Sequence, residues 1–298
     1  MWDLQSIKPA VSLASEACIV FLNQFRSETV DIPALADADS DTLVANVAKS
    51  CENTIVVIHN AWIRNVDAWI ENPNVTAVIY AHYPGQESGA ALVDVLYGIQ
   101  SPSGRLPYTV PKNDSDYGSL LYPANTTNSN GSVHAIFTEG NNIDYRHFQA
   151  NNIEPRFPFG FGLTYTTFGY SSVSAKWVTD NRPVAPPAPE VKVPGGIESL
   201  FGVLAEVSAC VSNNGSVAAA EVAQLYIAYP GETVTYLRGF TKPFIYPSNT
   251  AEVEFSLTRR DLSRWDVVSQ TWQLQTGEYK FFVGPNVRDA TLVATLTQ

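Results

Sequence analysis

The sequence predicts two domains, an α/β sandwich built on a mostly parallel sheet with flanking helices, followed by an all-β sandwich. Near-continuous apolar runs alternate with helical patterns in the first third of the chain, whereas the last third contains strand patterns without intervening helices. Between these parts lies a long stretch rich in Pro, Gly, Asn and Ser. With 298 residues, 45% of them hydrophobic, the chain is long enough for more than one core.

The first part alternates strands and helices. Apolar runs at residues 17–22, 54–59 and 76–81 have the pattern of strands that are covered on both faces. Residues 37–51, and residues 84–98 after the third run, carry apolar side chains at helical spacing. This repeated strand-helix order predicts a parallel sheet with right-handed crossovers.

The second part is separated from the first by two irregular segments. Residues 99–160 lack periodicity, and a stretch of this length usually indicates a functional loop or a linker. We expect residues 1–181 to form the α/β domain with its long loop, the proline-rich residues 182–196 to form a linker, and residues 197–298 to form the second domain. About seven short strands over about 100 residues are typical of an immunoglobulin-like or fibronectin-III-like sandwich.

The composition argues against several classes of function. A formal net charge of −11 without a cluster of Lys and Arg argues against nucleic-acid and anionic-membrane partners. No apolar run is long enough for a transmembrane helix. The four histidines lack metal-binding spacing, and GxSxG, GxGxxG and GxxxxGK motifs are absent from the sequence. We therefore expect neither a metal nor a cofactor.

The three cysteines are too few for a disulfide scaffold, and they lack the CxxC spacing of a zinc site. Cys18 and Cys51 lie beside neighbouring predicted strands, whereas Cys210 belongs to the second domain. The sequence leaves open whether Cys18 and Cys51 form a disulfide or remain two buried thiols.

Five Asn-x-Ser/Thr sequons lie mostly in polar, turn-forming segments, where a glycan would project into solvent. They predict an extracellular protein with these candidate glycosylation sites: Asn74, Asn113, Asn125, Asn130 and Asn214. The N-terminal residues MWDLQSIKPAVS contain an acidic residue and no apolar core of signal-peptide length. We therefore expect the secretion signal to lie outside this sequence, and the chain to be part of something larger.

One candidate for chemistry follows the first predicted strand. Glu28 lies in the segment NQFRSETVD, and ligands of a parallel sheet bind beyond the carboxyl ends of its strands. From position alone, a solvated loop is the more common explanation. Glycosidic bond cleavage needs two carboxylates that flank the bond, and Asp31 is too close along the same loop to serve as a confident partner.

Several recognisable motifs are spread over nearly the whole chain. The most recognisable motif is PRFPFGFGLTYTTFGY at residues 155–170. The others occur in the expected order, at residues 51–59, 83–110, 143–148, 211–230, 237–240 and 261–267. Each motif is weak by itself, whereas together they are specific, and they resemble the C-terminal half of fungal β-glucosidases of glycoside hydrolase family 3.

The resemblance implies a parent enzyme of three parts: an N-terminal (β/α)8 barrel, an α/β sandwich and a fibronectin-III-like domain. The nucleophilic Asp belongs to the barrel, which this sequence lacks. The acid/base Glu lies in a pattern resembling N-x-(F/W)-x-(S/T)-E-G-(Y/W)-D, which places Glu28 on the acid/base. Thr29 replaces the usual Gly and would be strained at positive φ, and Val30 replaces an aromatic that would flank the sugar.

The resemblance therefore implies retaining hydrolysis of terminal β-D-glucosyl residues in the parent enzyme, with a β-glucoside or cello-oligosaccharide as substrate. We expect this chain to be catalytically incomplete, and to associate with a barrel domain or to form a homodimer through apolar surface that the barrel would cover. Two alternatives remain: a noncatalytic carbohydrate-binding or scaffold remnant, and a fragment with no independent role.

Overall fold

The structure, a computed structural model, describes residues 16–24, 28, 34–121, 131, 136–188 and 191–298. The chain forms two compact units. The first comprises Met1–Val93, Tyr108–Phe148 and Asn152–Phe157, and the second comprises Asp94–Pro107, Gln149–Asn151 and Pro158–Gln298. None of the helices in the described ranges has both the length and the apolar character that a membrane crossing requires.

The first unit is built on a parallel sheet of three strands in the order β1-β2-β3. These are β1 (Cys18–Asn23), β2 (Thr54–His59) and β3 (Val75–Tyr80). β1 and β2 pair in register from the first residue of each to the last. The predicted parallel sheet is confirmed, and the carboxyl ends of all three strands therefore lie along one edge.

The helices between residues 34 and 157 are short. They are α1 (Ala38–Ala48), α2 (Ser88–Leu96), a 3-10 helix (Asp114–Leu121) and α3 (Tyr145–Ala150). α1 contacts β1 and β2 and buries Val44, Val47 and Ala48. None of the nine residues of α2, all of them described, is buried.

The start of α1 is fixed by a side-chain cap. The N-cap is Asp37, whose carboxylate accepts hydrogen bonds from the backbone N–H of Ser40 at 3.2 Å and from its hydroxyl at 3.1 Å. Because the helix begins at Ala38, the Ser40 N–H is one of the first-turn amides that lack a carbonyl partner within the helix.

The prediction that the strands are covered on both faces is wrong for β1 and for β3, in which no residue is buried. Val20 and Leu22 are buried, whereas the intervening Ile19 and Phe21 are 43% and 48% exposed. The ring of Phe21 stacks on His59 at a centroid distance of 6.2 Å. β1 is an edge strand that contacts α1, and its burial alternates because successive side chains of a strand point to opposite faces of the sheet.

A disulfide joins Cys18, the first residue of β1, to Cys51, which precedes β2. It closes a sequence separation of 33 residues that includes α1. Of the two alternatives that the sequence leaves open, the structure therefore contains the disulfide. Cys210 is half-buried and has a free thiol.

The second unit is an antiparallel β-sandwich, as predicted. A three-stranded sheet in the order β12-β7-β4 and a four-stranded sheet in the order β10-β9-β15-β16 supply its core. The strands are β4 (Phe168–Trp177), β5 (Lys192–Val193), β6 (Gly196–Ile197), β7 (Val203–Asn213), β8 (Ala219–Ala220), β9 (Ala223–Ala228), β10 (Tyr236–Thr241), β11 (Phe244–Ile245), β12 (Thr250–Thr258), β13 (Ser263–Asp266), β14 (Thr271–Leu274), β15 (Glu278–Gly284) and β16 (Leu292–Thr297). A 3-10 helix (Glu198–Phe201) and α4 (Arg259–Leu262) complete the unit.

The limits of the two domains stay a prediction. Strand pairing argues that β4 belongs to the second domain and that the expected linker contains a short hairpin. The expected first domain extends to residue 181, yet β4 pairs with β7 of the sandwich. The expected linker, residues 182–196, contains β5 and the first residue of β6, which pair as a short hairpin. The sequence pattern did not assign β4 to the second domain, because tertiary packing decides with which strand it pairs.

Candidate functional site

Glu28 lies in a turn after the carboxyl end of β1, and its side chain is exposed. An acid that protonates a bound substrate must be reachable from solvent, and this position meets that requirement. The predicted neighbours Thr29, Val30 and Asp31 lie outside the described residues. The role of Glu28 therefore stays a prediction from the motif.

A small pocket lies at the same edge of the sheet, between the carboxyl ends of β1 and β2 and the first turn of α1. The space between its side chains is about 190 Å³, part of it open to solvent. The lining residues are Leu22, Asn23, Gln24, Asp37, Ser40, Ile58, Asn60 and Arg64. Asn23 and Gln24 also begin the segment that leads to Glu28.

The guanidinium in this pocket is paired with carboxylates of the protein. Arg64, whose side chain is 3% exposed, pairs with Asp41 at 2.5 Å and lies 3.9 Å from the carboxylate of Asp37. The same Asp41 oxygen accepts a hydrogen bond from the indole N–H of Trp69 at 2.8 Å. The guanidinium also donates to the Asp37 carbonyl at 3.1 Å. Arg64 therefore anchors the first turn of α1 rather than presenting a free cation.

Two residues of the pocket carry buried polar atoms without a hydrogen-bond partner among the described residues: Arg64 at its Nε, and Asn60 at both atoms of its carboxamide. Asn60 directly follows β2 and is 1% exposed. Leaving buried polar atoms unsatisfied costs about 1–3 kcal/mol. A buried polar group without a protein partner is a candidate to bind a water or a ligand.

The residues that follow β3 form an aromatic cluster. His82 adopts a left-handed backbone with φ of 53°. Its ring packs edge-on against Tyr108 at 5.7 Å and is tilted against Tyr80 at 6.3 Å. Burial raises the pKa of both tyrosines well above the ordinary value of 10.0, so both phenols stay protonated and do not serve as general bases near neutral pH.

Asp144, the carboxylate of the motif at residues 143–148, has a structural role. Asp144 accepts hydrogen bonds from the backbone and hydroxyl of Thr109 at 3.0 and 2.8 Å, and from the hydroxyl of Tyr117 at 2.8 Å. It also accepts from the backbone N–H of Tyr145 at 2.6 Å. A carboxylate with this many protein donors is held in place as a fold anchor, and it is unsuited to attack a sugar.

A second carboxylate with a structural role lies inside the sandwich unit. Glu221 pairs with Arg105 at 2.5 Å, and the two side chains are only 2% and 7% exposed. The hydroxyl of Tyr170 donates to the other Glu221 oxygen at 2.7 Å. Burial and the nearby Glu221 raise the pKa of Tyr170 far above its ordinary value.

The five sequon asparagines differ in accessibility. Asn113 and Asn214 are exposed. Asn74 is half-buried, and its amide nitrogen donates to the Ala48 carbonyl at 2.8 Å. Asn125 and Asn130 lie outside the described residues.

The part of the chain that the structure describes contains no group of three or more His, Cys, Asp or Glu side chains that could hold a metal ion. Three of the histidines contact aromatic rings or backbone: His59 stacks on Phe21, His82 packs on Tyr108, and His147 bonds the Asp116 carbonyl at 2.9 Å.

Sequence reasoning missed Asn60 and Arg64. A signal for Asn60 was present, because a polar residue that directly follows a buried parallel strand lies at the edge where ligands bind. No comparable signal marked Arg64, whose role depends on its contact with α1.

The chain resembles known proteins over almost its full length. Residues 4–165 match the glycosyl hydrolase family 3 C-terminal domain, and residues 221–287 match the fibronectin type III-like domain. The chain is 51% identical over 293 residues to the probable beta-glucosidase M of Aspergillus niger, covering 98% of this chain and 38% of that protein. It is 48% identical over 293 residues to the beta-glucosidase cel3A of Pyricularia oryzae, covering 98% of this chain and 37% of that protein.

Solved structures show the same fold. The beta-D-glucoside glucohydrolase of Trichoderma reesei matches with a TM-score of 0.86 at 39% identity, over 95% of this chain and 40% of that chain. A family 3 beta-glucosidase of Neurospora crassa matches with a TM-score of 0.83 at 30% identity, over 94% of this chain and 43% of that chain. These matches confirm the resemblance, and the chain spans about two fifths of the length of the relatives that it matches.

Proposed function

The chain belongs to glycosyl hydrolase family 3, and we propose that it carries the acid/base half of the active site of a retaining β-glucosidase, with Glu28 as the acid/base. The observation that carries this proposal is the exposed position of Glu28 beyond the carboxyl end of β1, inside the part of the chain that matches the family domain. Ligands of parallel sheets bind at this edge.

In the proposed reaction, the Glu28 carboxylic acid donates its proton to the glycosidic oxygen as the bond to the aglycone breaks. The resulting carboxylate then accepts a proton from the water that opens the glycosyl-enzyme ester. General acid and base assistance of this kind contributes about 10²- to 10⁴-fold to the rate.

The ester needs a second carboxylate about 5 Å from the first, on the opposite side of the glycosidic bond. Two buried or half-buried carboxylates of the chain, Asp144 and Glu221, are occupied by protein donors. We propose that the nucleophile comes from outside these 298 residues, as the resemblance implies, and that the chain by itself has negligible turnover.

The proposed substrate is a β-glucoside or a cello-oligosaccharide, because relatives that are 51% and 48% identical to the chain are named beta-glucosidases. The proposed location is extracellular. The disulfide between Cys18 and Cys51 and the exposed sequons at Asn113 and Asn214 support it, since disulfides and N-glycans are typical of secreted proteins.

Hydrolysis of an aryl β-glucoside tests this proposal in two proteins. The first is the purified chain, for which we expect no turnover above background. The second is a chimera in which the part of the Aspergillus niger relative that precedes its matching region is fused to the N-terminus of this chain. We expect turnover by this chimera. Hydrolysis by the chain alone, lost on Glu28→Gln, would show that a nucleophile lies within the chain. A folded chimera without turnover would refute the proposed function.

A further inference from the structure

The pocket beside β1 and β2 contains a hydrogen-bonding group without a partner. Asn60 is 1% exposed and lines the pocket, and within the described ranges both polar atoms of its carboxamide lack a hydrogen-bond partner. A carboxamide offers two N–H donors and one accepting oxygen. A ligand that both donates and accepts hydrogen bonds would therefore complete it.

The electrostatics of the pocket favour a neutral ligand. The charged side chains at its wall, Arg64 and Asp37, belong to a cluster with Asp41 in which the guanidinium faces two carboxylates. An anion would meet these carboxylates, and a cation would compete with Arg64 for them. The remaining polar lining comes from uncharged side chains, those of Asn23, Gln24, Ser40 and Asn60.

The shape of the pocket favours a small group on a larger molecule. The space of about 190 Å³ includes open solvent, so its enclosed part is much smaller than a sugar ring and suits a group of about the size of a water molecule. Leu22 and Ile58 supply apolar surface beside the polar groups. A hydroxyl group attached to an aliphatic carbon matches this combination.

We infer that the pocket is a subsite that binds one hydroxyl group of a neutral sugar, with the Asn60 carboxamide as its main hydrogen-bonding group. The inference rests on the proposed function for the choice of sugar, a glucoside. Asn23 and Gln24 line the pocket and begin the segment that leads to Glu28. A sugar anchored by Asn60 is thereby held at the strand edge that also carries the acid/base.

The test is a titration of the isotope-labelled full chain with methyl β-D-glucoside, followed through the side-chain amide signals of its asparagines. We expect the Asn60 amide signals to shift saturably. Signals from the exposed Asn181, whose side chain lies outside the pocket, serve as the internal reference. Asn60 signals that do not move up to the solubility limit of the glucoside would overturn the inference, and this measurement requires no variant.

A matched pair of variants provides the second measurement. Asn60→Leu removes the carboxamide and keeps the branched shape of the side chain, and Asn181→Leu makes the same change on the surface. We expect Asn60→Leu to weaken binding at least about tenfold, as the loss of uncharged hydrogen bonds implies, and Asn181→Leu to leave it unchanged. Equal affinity in the folded Asn60→Leu variant would overturn the inference.

Binding and hydrolysis fail independently in this design. The titration uses the chain without any hydrolysis and is repeated with Glu28→Gln, which we expect to keep the Asn60 shift. A chimera that does not hydrolyse glucosides, combined with an intact Asn60 shift, would refute the proposed function and support the subsite. Hydrolysis by the chimera without an Asn60 shift would support the proposed function and overturn the subsite.

Discussion

The disulfide between Cys18 and Cys51 holds the first strand of the parallel sheet to the segment before the second strand, and we expect its removal to destabilise the first unit strongly. The two cysteines are 33 residues apart. For a closed loop of this length, the chain-entropy relation gives a stabilisation of about 3.7 kcal/mol at 25 °C. This free energy corresponds to about a 500-fold change in the equilibrium between closed and open states.

Amide hydrogen exchange measures this change in the unit concerned. In the Cys18→Ser/Cys51→Ser double variant, we expect the most protected amides of β1 and β2 to exchange up to about 500-fold faster than in the unmodified protein. Amides of β7, in the second unit, serve as the internal control. Reduction of the unmodified protein with a thiol should reproduce the effect, whereas Cys210→Ser should leave exchange in β1 and β2 unchanged.

A small effect would refute this reasoning. If exchange in β1 and β2 accelerates by less than about tenfold, the disulfide contributes under about 1.4 kcal/mol. Residual structure would then already constrain the loop between Cys18 and Cys51 in the unfolded state, so that the disulfide removes little conformational entropy.

Three further predictions concern other parts of the molecule. Glu221→Leu or Arg105→Met alone should destabilise the sandwich unit by about 3–5 kcal/mol, because each leaves a buried charge unpaired, whereas the double variant should recover most of the loss in urea unfolding. In a secreting fungal host, glycopeptide mass spectrometry should find glycans at Asn113 and Asn214 more often than at Asn74, whose amide nitrogen is engaged; equal occupancy would contradict this. Burial keeps the folded-state pKa of several tyrosines above the ordinary 10.0, so above about pH 10 the unfolded state binds fewer protons and stability should fall as pH rises. An alkaline titration in which Tyr80, Tyr108 and Tyr117 ionise fully before the protein unfolds would contradict the raised pKa of these three phenols.

The parallel sheet could be predicted closely from the sequence, because its strands are short apolar runs between segments with helical spacing. The predicted runs 17–22 and 76–81 differ from β1 and β3 by one residue, and 54–59 coincides with β2. The burial of β1 could not be predicted, since an apolar run does not say whether a second layer covers the strand. The structure shows alternating burial there, with Ile19 and Phe21 exposed.

The candidate site could be predicted only in part. The motif around Glu28 placed an acidic residue beyond the first strand, and the structure describes Glu28 in a turn there. The pocket at the carboxyl ends of β1 and β2 depends on contacts that bring together Asn23, Arg64 and the first turn of α1 from separate segments. No local pattern encodes such contacts, so Asn60 became a candidate only when its burial and unsatisfied amide were known.

The central claim, that Glu28 is the acid/base, is tested most directly by azide rescue of a Glu28→Ala variant of the chimera. The substrate is an aryl β-glucoside whose leaving group needs no protonation, so that the missing acid does not block the first step. We expect hydrolysis to fall by about 10²- to 10⁴-fold. Azide should restore turnover, with β-glucosyl azide as the product, because azide attacks the glycosyl-enzyme without a general base. Unchanged hydrolysis in the folded variant, or a loss that azide does not rescue, would contradict the claim.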